Sequence, residues 1–297
     1  MDISFYRYLN MIINEVDECY SYRELKSITN DKKLLTVVNK LRKEYSTLAK
    51  TWNPDQNSQW VCRIYFCTKM ILNATVILKQ SDFAEEKNLR AAVPYFHYYA
   101  MLSILRCVVL TLPTEDWEEG KILSISHKKA RIKTREWLAR YDKNIADRFD
   151  NIFKTLKSNR ELLSYKAPAS GDENIQIQDE VIFFCTLLAE VAQLNSAILH
   201  KAVLKHADPM NFVVMDEHMS SIYNVEMEGN SYYDREDHYR LDYLRRKGSK
   251  PYSIFLTMTE GQTEDFIGAW DAENDDSEEA RFYSGSPCSW QEIFDIP

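Results

Sequence analysis

Six cations fall between residues 128 and 140: Lys128, Lys129, Arg131, Lys133, Arg135 and Arg140, opposed only by Glu136. Lys128, Arg131 and Arg135 are spaced three and four apart, so a helix brings them to one face. A face of that kind neutralises phosphates, and His127 stands at its start. The alternative use of the same cations is a solvated surface or a dock for an acidic segment. Metal chemistry has less to work with. The histidines are His97, His127, His200, His206, His218 and His238. His200 and His206 are six apart and point to different sides of a helix. No H-E-x-x-H occurs, and the Asp234, Glu236, Asp237, His238 cluster lacks metal-ligand spacing. No metal and no cofactor are expected. The chain also lacks the G-x-S-x-G elbow of serine hydrolases and both common glycine-rich phosphate loops.

Charge divides the chain unevenly. Residues 207–297 carry twenty Asp and Glu against seven Lys and Arg, whereas residues 1–206 carry thirty bases against twenty-five acids. The formal net charge of −8 therefore joins a mildly basic body to a strongly acidic last third. The chain ends Trp290-Gln291-Glu292-Ile293-Phe294-Asp295-Ile296-Pro297, with Trp290 and Phe294 four apart. Acids that steer and aromatics that anchor make a docking peptide, so Trp290 and Phe294 are candidate partner-binding residues. The same residues could instead pack on the chain's own basic body.

The elements that would position these groups are helical. Apolar residues total 45% of the chain and charged residues 28%, and there are only seven glycines, none before Gly120. Parallel α/β folds and hairpin-rich β folds need more glycine than that at their turns. Helical stripes run through Phe5, Leu9, Ile12 and Val16, then Leu34, Val37, Leu41, Tyr45 and Leu48, with Asn30 or Asp31 as caps. Trp52-Asn53-Pro54-Asp55 breaks the pattern. Further helices are predicted over 60–79, 94–112, 126–141, 144–157 and 179–205. Beyond Pro209 the periodicity weakens: 211–215 and 252–258 read as short strands, 231–247 as a tyrosine-rich helix, and 260–280 as an acidic loop.

Three segments in order resemble the HEPN superfamily of helical domains. Phe96-His97-Tyr98-Tyr99-Ala100-Met101 through Arg106 and Leu110 is similar to the central HEPN helix. Ser126-His127-Lys128-Lys129-Ala130-Arg131 is similar to the Ser/Thr-His-Lys segment that follows it, and Asn159-Arg160-Glu161-Leu162-Leu163-Ser164-Tyr165 to the Arg-led segment before the last helix. The resemblance covers about residues 60–205. It implies a helical bundle, often paired, and frequently a metal-independent ribonuclease of toxin–antitoxin or antiviral systems. Active members carry an Arg followed after four to six residues by a His. The His moves a 2′-hydroxyl proton and the Arg holds the phosphate. Here no His follows Arg160, and Tyr165 ends that segment. Arg90 and His97 have the required spacing and become the candidate catalytic pair, although Pro94 interrupts a helix between them and Ala91 replaces the expected polar neighbour. Arg160 joins Lys128, Arg131 and Arg135 as a candidate phosphate contact.

The expected protein is therefore all-α: an N-terminal helical region over 1–55, a HEPN-like bundle over 56–206 and an irregular acidic region over 207–297. The expected role is a binding subunit of a defence or toxin-type system that meets RNA, another nucleic acid, a protein partner or a second copy. An active metal-independent endoribonuclease is the alternative. No C-x-x-C pair occurs among the six cysteines, so free thiols in a reducing compartment are expected. The start MDISFYRYLN has no signal-peptide pattern, and the apolar run at 107–112 is too short to span a bilayer, which together predict a soluble cytoplasmic protein without membrane contact.

Overall fold

A computed structural model describes residues 20, 22–118, 120–169 and 178–269. The stripe at 5–16, Cys19, Cys288 and the candidate anchors Trp290 and Phe294 lie outside the described residues. The helices are α1 (Arg23–Ile28), α2 (Asp31–Ala49), α3 (Pro54–Glu86), α4 (Val93–Leu110), α5 (His127–Leu138), α6 (Lys143–Lys166) and α7 (Gln178–His206). They are followed by α8 (Asp216–Tyr223), the strands β1 (Asn224–Met227) and β2 (Asn230–Tyr233), then α9 (Arg235–Lys247), α10 (Ile254–Thr257) and α11 (Glu260–Gly268). The fold is all-α, with one antiparallel hairpin among the described residues.

Local chemistry accounts for the helix starts. Asn30 caps α2 by accepting from the Lys33 N–H. At the Trp52–Asp55 break, Asn53 Oδ1 accepts from Gln56 N at 2.8 Å and Gln56 Oε1 accepts from Asn53 N at 3.1 Å. Pro54 then opens α3 at a position that needs no N–H. Asp142 caps α6 through Asn144 and Ile145.

The contacts divide into two compact units, interleaved along the chain. The first comprises the described parts of Met1–Thr68, Val109–Ser126 and Val191–Thr257. Its centre is polar as well as apolar. Asn57, fully buried, accepts from Trp52 Nε1 at 3.2 Å and donates to the carbonyls of Val213 and Ser249 at 2.8 and 2.7 Å. Arg63, also buried, donates to the carbonyls of Leu112 and Glu115; burial lowers its pKa to about 10 against the opposing pull of Asp116. Gly120, at φ +83°, brings the backbone against Ser221, where an added Cβ would lie 2.7 Å from Ser221 Cβ. Gly120→Ala combines a left-handed backbone with that overlap and is expected to cost about 2–4 kcal/mol, read as a lower urea midpoint at unchanged slope.

The second unit comprises Lys69–Val108, His127–Glu190 and Met258–Pro297 in their described parts. Its core is a chain of aromatic rings. Tyr98 lies 5.4 Å from Phe153, Phe149 5.8 Å from Phe184, and all four rings are buried. Helix α5 buries Ala130, Thr134, Trp137 and Leu138, a stripe of period 3.6. Helix α6 answers with Ala146, Phe149, Phe153 and Leu156.

The helix expected over 60–79 begins at Pro54 and runs on to Glu86, and four expectations beyond Pro209 need correction. Residues 211–215 are not a strand: a 3-10 turn occupies Pro209–Asn211, and the Val213 carbonyl and Met215 N–H are taken by Asn57 and Ser58. Residues 252–258 contain α10, because Ser196 Oγ and Gln193 Oε1 accept the N–H groups of Ile254 and Phe255 and satisfy a helix start. The helix expected from Ser231 begins only at Arg235, capped by Asp234. Before it, Glu228 and Gly229, at φ +51° and +81°, make the two-residue turn that pairs β1 with β2. The acidic loop expected from residue 260 contains α11, capped by Thr259.

Three helices are long and apolar enough to cross a bilayer by length and composition: Pro54–Glu86, Val93–Leu110 and Glu180–His206. The short run at 107–112 does not reveal this, because polar residues punctuate each longer window. In the structure the protein itself buries 72, 78 and 89% of those windows. Cys62, Cys67, Cys107 and Cys185 are buried free thiols.

Candidate phosphate-binding site

The histidine that gathers charged neighbours is His127, the first residue of α5. Its Nδ1 lies 2.6 Å from the hydroxyl of Tyr98 on α4. Tyr98 is fully buried, and the next residue, Tyr99, is 41% exposed, because successive helical positions face different ways. Arg160 continues the buried stripe of α6, four residues beyond Leu156. Its guanidinium carbon lies 4.9 Å from the Tyr98 ring centroid, and one terminal nitrogen donates to the Tyr99 hydroxyl at 3.3 Å. Arg106, two turns beyond Tyr98 and Tyr99 on α4, is half-buried, and its Nε has no acceptor. Lys157 and Arg160 share one carboxylate, Glu161, each at 3.5 Å.

The electrostatics follow from this crowding. Burial, then Arg106, Arg160 and Lys157, hold the His127 pKa below its ordinary 6.5. The imidazole is therefore neutral at pH 7. Burial raises the Tyr98 pKa, so its hydroxyl keeps its proton. Which tautomer His127 adopts decides what it can do. If Tyr98 donates to Nδ1, Nε2 carries a proton and can donate to an anion. If Nδ1–H donates to the Tyr98 oxygen, Nε2 is left as a base.

The residues singled out from sequence fall into three groups. Arg160 stands in the cluster. Arg131 and Arg135 do face one way, but that face docks on α6: Arg131 pairs with Asp150, and Arg135 Nε lies 3.1 Å from Asp147. Lys128 is exposed one residue beyond His127. The two members of the candidate catalytic pair differ in exposure. Arg90 lies exposed in the turn before α4, whereas His97 is 2% exposed with both ring nitrogens unpartnered, and burial lowers its pKa to about 4. An imidazole so enclosed has no path to a hydroxyl in solution. Arg106, Tyr98 and Lys157 were missed as site residues. The pairing of Tyr-Tyr on one helix with a histidine opening another gives no spacing signal, since the loop between them has no fixed length.

Among the described residues no three His, Cys, Asp or Glu side chains gather into a metal-binding group. Fold and site together define an all-α protein bearing a histidine enclosed by cations. No family model, curated protein or solved structure matches the chain.

Proposed function

We propose that this chain is a HEPN-like helical protein that binds RNA through the His127 cluster, acting as a binding subunit of a cytoplasmic defence or toxin-type system. One observation carries the reading. Three segments that resemble HEPN motifs, separated by dozens of residues, converge on Tyr98, with His127 at 2.6 Å from its hydroxyl and Arg160 over its ring. Arg106, Arg160 and Lys157 outnumber the single carboxylate of Glu161, which favours an anion. A phosphodiester oxygen accepts from guanidinium and imidazole N–H groups alike. The exposed Tyr99 adds a surface on which a base can stack.

A ribonuclease reading has its own support, the lowered pKa of His127, which supplies a neutral imidazole beside phosphate-binding cations. His127, rather than the enclosed His97, then takes the 2′-hydroxyl proton. The two readings separate in one assay: labelled RNA incubated with the protein in EDTA. Cleavage leaving cyclic-phosphate ends and lost in His127→Ala makes the protein an enzyme. Retention of intact RNA with measurable affinity makes it a binder. In either case Arg160→Gln is expected to weaken RNA binding about tenfold, ~1.4 kcal/mol. Binding should also strengthen as the pH falls below 6.5, because a bound phosphate favours the imidazolium form. Unchanged affinity in both Arg160→Gln and His127→Ala removes the cluster from the function.

A further inference from the structure

An exposed basic surface of the first unit lies on α2, a helix that has no part in the His127 cluster. Its exposed residues are Asp31, Lys32, Lys33, Thr36, Lys40, Arg42, Lys43 and Thr47, with Lys50 exposed at the C-cap. No exposed position on it is apolar. The opposite side is wholly buried, through Leu34, Val37, Val38, Leu41, Tyr45 and Ala49. A groove of about 600 Å³ runs along the outer face, lined by Asn39, Arg42, Lys43, Ser46, Thr47 and Lys50, with no carboxylate among those six residues.

The contrast with α5 is one of pairing. Arg131 and Arg135, two of the five cations on α5, are spent on Asp150 and Asp147 and so are answered from within the protein. Arg42, Lys43 and Lys50 form no ion pair with any described residue. Residues 39, 43, 46 and 50 step by four, three and four, so they form one stripe about 16 Å long. Hydroxyl and amide groups alternate with the cations along it. That mixture suits phosphate oxygens: the cations displace counterions while Asn39 and Ser46 offer donors to the backbone, the Thr47 hydroxyl being spent on the Lys43 carbonyl. A membrane surface fits less well, because no fully exposed side chain on this face is apolar and Leu35, in line with Asn39, Arg42 and Ser46, is half-buried.

We infer that the outer face of α2 is a sequence-independent seat for a nucleic-acid phosphodiester backbone, contacted through Arg42, Lys43 and Lys50. The face is separate from the His127 cluster and does not depend on that site being functional.

The test is fluorescence anisotropy of a labelled 20-nucleotide single-stranded RNA, measured across salt concentrations from ~50 mM upward. The variant Arg42→Gln, Lys43→Gln, Lys50→Gln alters only exposed positions, and circular dichroism confirms its helix content. It should bind at least tenfold more weakly at low salt, and its slope of log affinity against log salt should fall by about 2, at ~0.7 per phosphate contact. The loss should be equal for RNAs of different sequence. A parent-like slope in the triple variant overturns the inference, as does tighter binding of anionic phospholipid vesicles or a poly-glutamate peptide than of RNA. Measuring Arg160→Gln beside it keeps the two sites distinct. A drop in Arg160→Gln with none in the triple variant sinks the α2 seat alone, and the reverse sinks the cluster alone.

Discussion

Asp150→Ala should be strongly destabilising, costing about 3–5 kcal/mol. Asp150 is 7% exposed and accepts from two cations, Arg131 of α5 and Lys154 of α6, the latter at 2.6 Å. The Arg131 side chain is itself only 16% exposed. Removing the carboxylate strands a guanidinium in a low-dielectric site, where its desolvation has no compensation. Asp147→Ala makes the comparison informative. Its partner Arg135 and the carboxylate are each nearly half-exposed, so that loss should stay within about 0–1 kcal/mol. Replacing both members of the buried pair, Arg131→Met with Asp150→Leu, should recover most of the stability, since apolar packing of similar volume offsets the lost attraction. Urea midpoints of the four variants check this. If Asp150→Ala and Asp147→Ala shift equally, burial is not what sets the cost.

Stability should fall steeply as the pH drops from 6.5 toward 4. His97 is 2% and His200 4% exposed, and neither ring has a hydrogen-bond partner. Burial lowers both pKa values to about 4; at His200, Lys250 and Lys201 push the same way. The folded state thus binds these protons less readily than the unfolded state, whose histidines titrate near 6.5. Their contribution is fully present above 6.5 and is lost as the pH falls through the window to about 4. The gap corresponds to about 3 kcal/mol for each histidine. Denaturant midpoints measured at intervals between pH 7.5 and 4 should trace this decline, and His97→Leu with His200→Phe should flatten it. A double variant that loses stability with acid as steeply as the parent would place the effect in the carboxylates instead. His127, whose pKa is also lowered, adds in the same direction, but a phosphate bound beside it should reverse its share.

Much of the helical layout is legible in sequence because it rests on short-range rules. The cap at Asn30 and the buried stripe of α2 depend on residues within four positions of one another, and periodicity places them. The ends of α3 and α6 are less well read: the sequence sets these helices at 60–79 and 144–157, whereas they span Pro54–Glu86 and Lys143–Lys166. The region after Pro209 is misread because its partners are distant. Val213 satisfies its carbonyl on Asn57, 156 residues earlier, and Phe255 its N–H on Gln193, 62 residues earlier. Local propensity cannot register an acceptor that arrives only when the chain folds.

The candidate site divides along the same line. Sequence by itself determined an all-α chain, a cation-rich segment at 128–140 and the residue types that could hold a phosphate. Only the tertiary structure decided which of them remain available. A positive charge on a helix is a partner for ligand or for protein, and the sequence does not distinguish the two. Folding pairs Arg131 with Asp150 and encloses His97, while it leaves His127 half-buried among Arg106, Lys157 and Arg160. Arg42, Lys43 and Lys50 keep no ion pair with any described residue, and no carboxylate is among the six residues lining their groove.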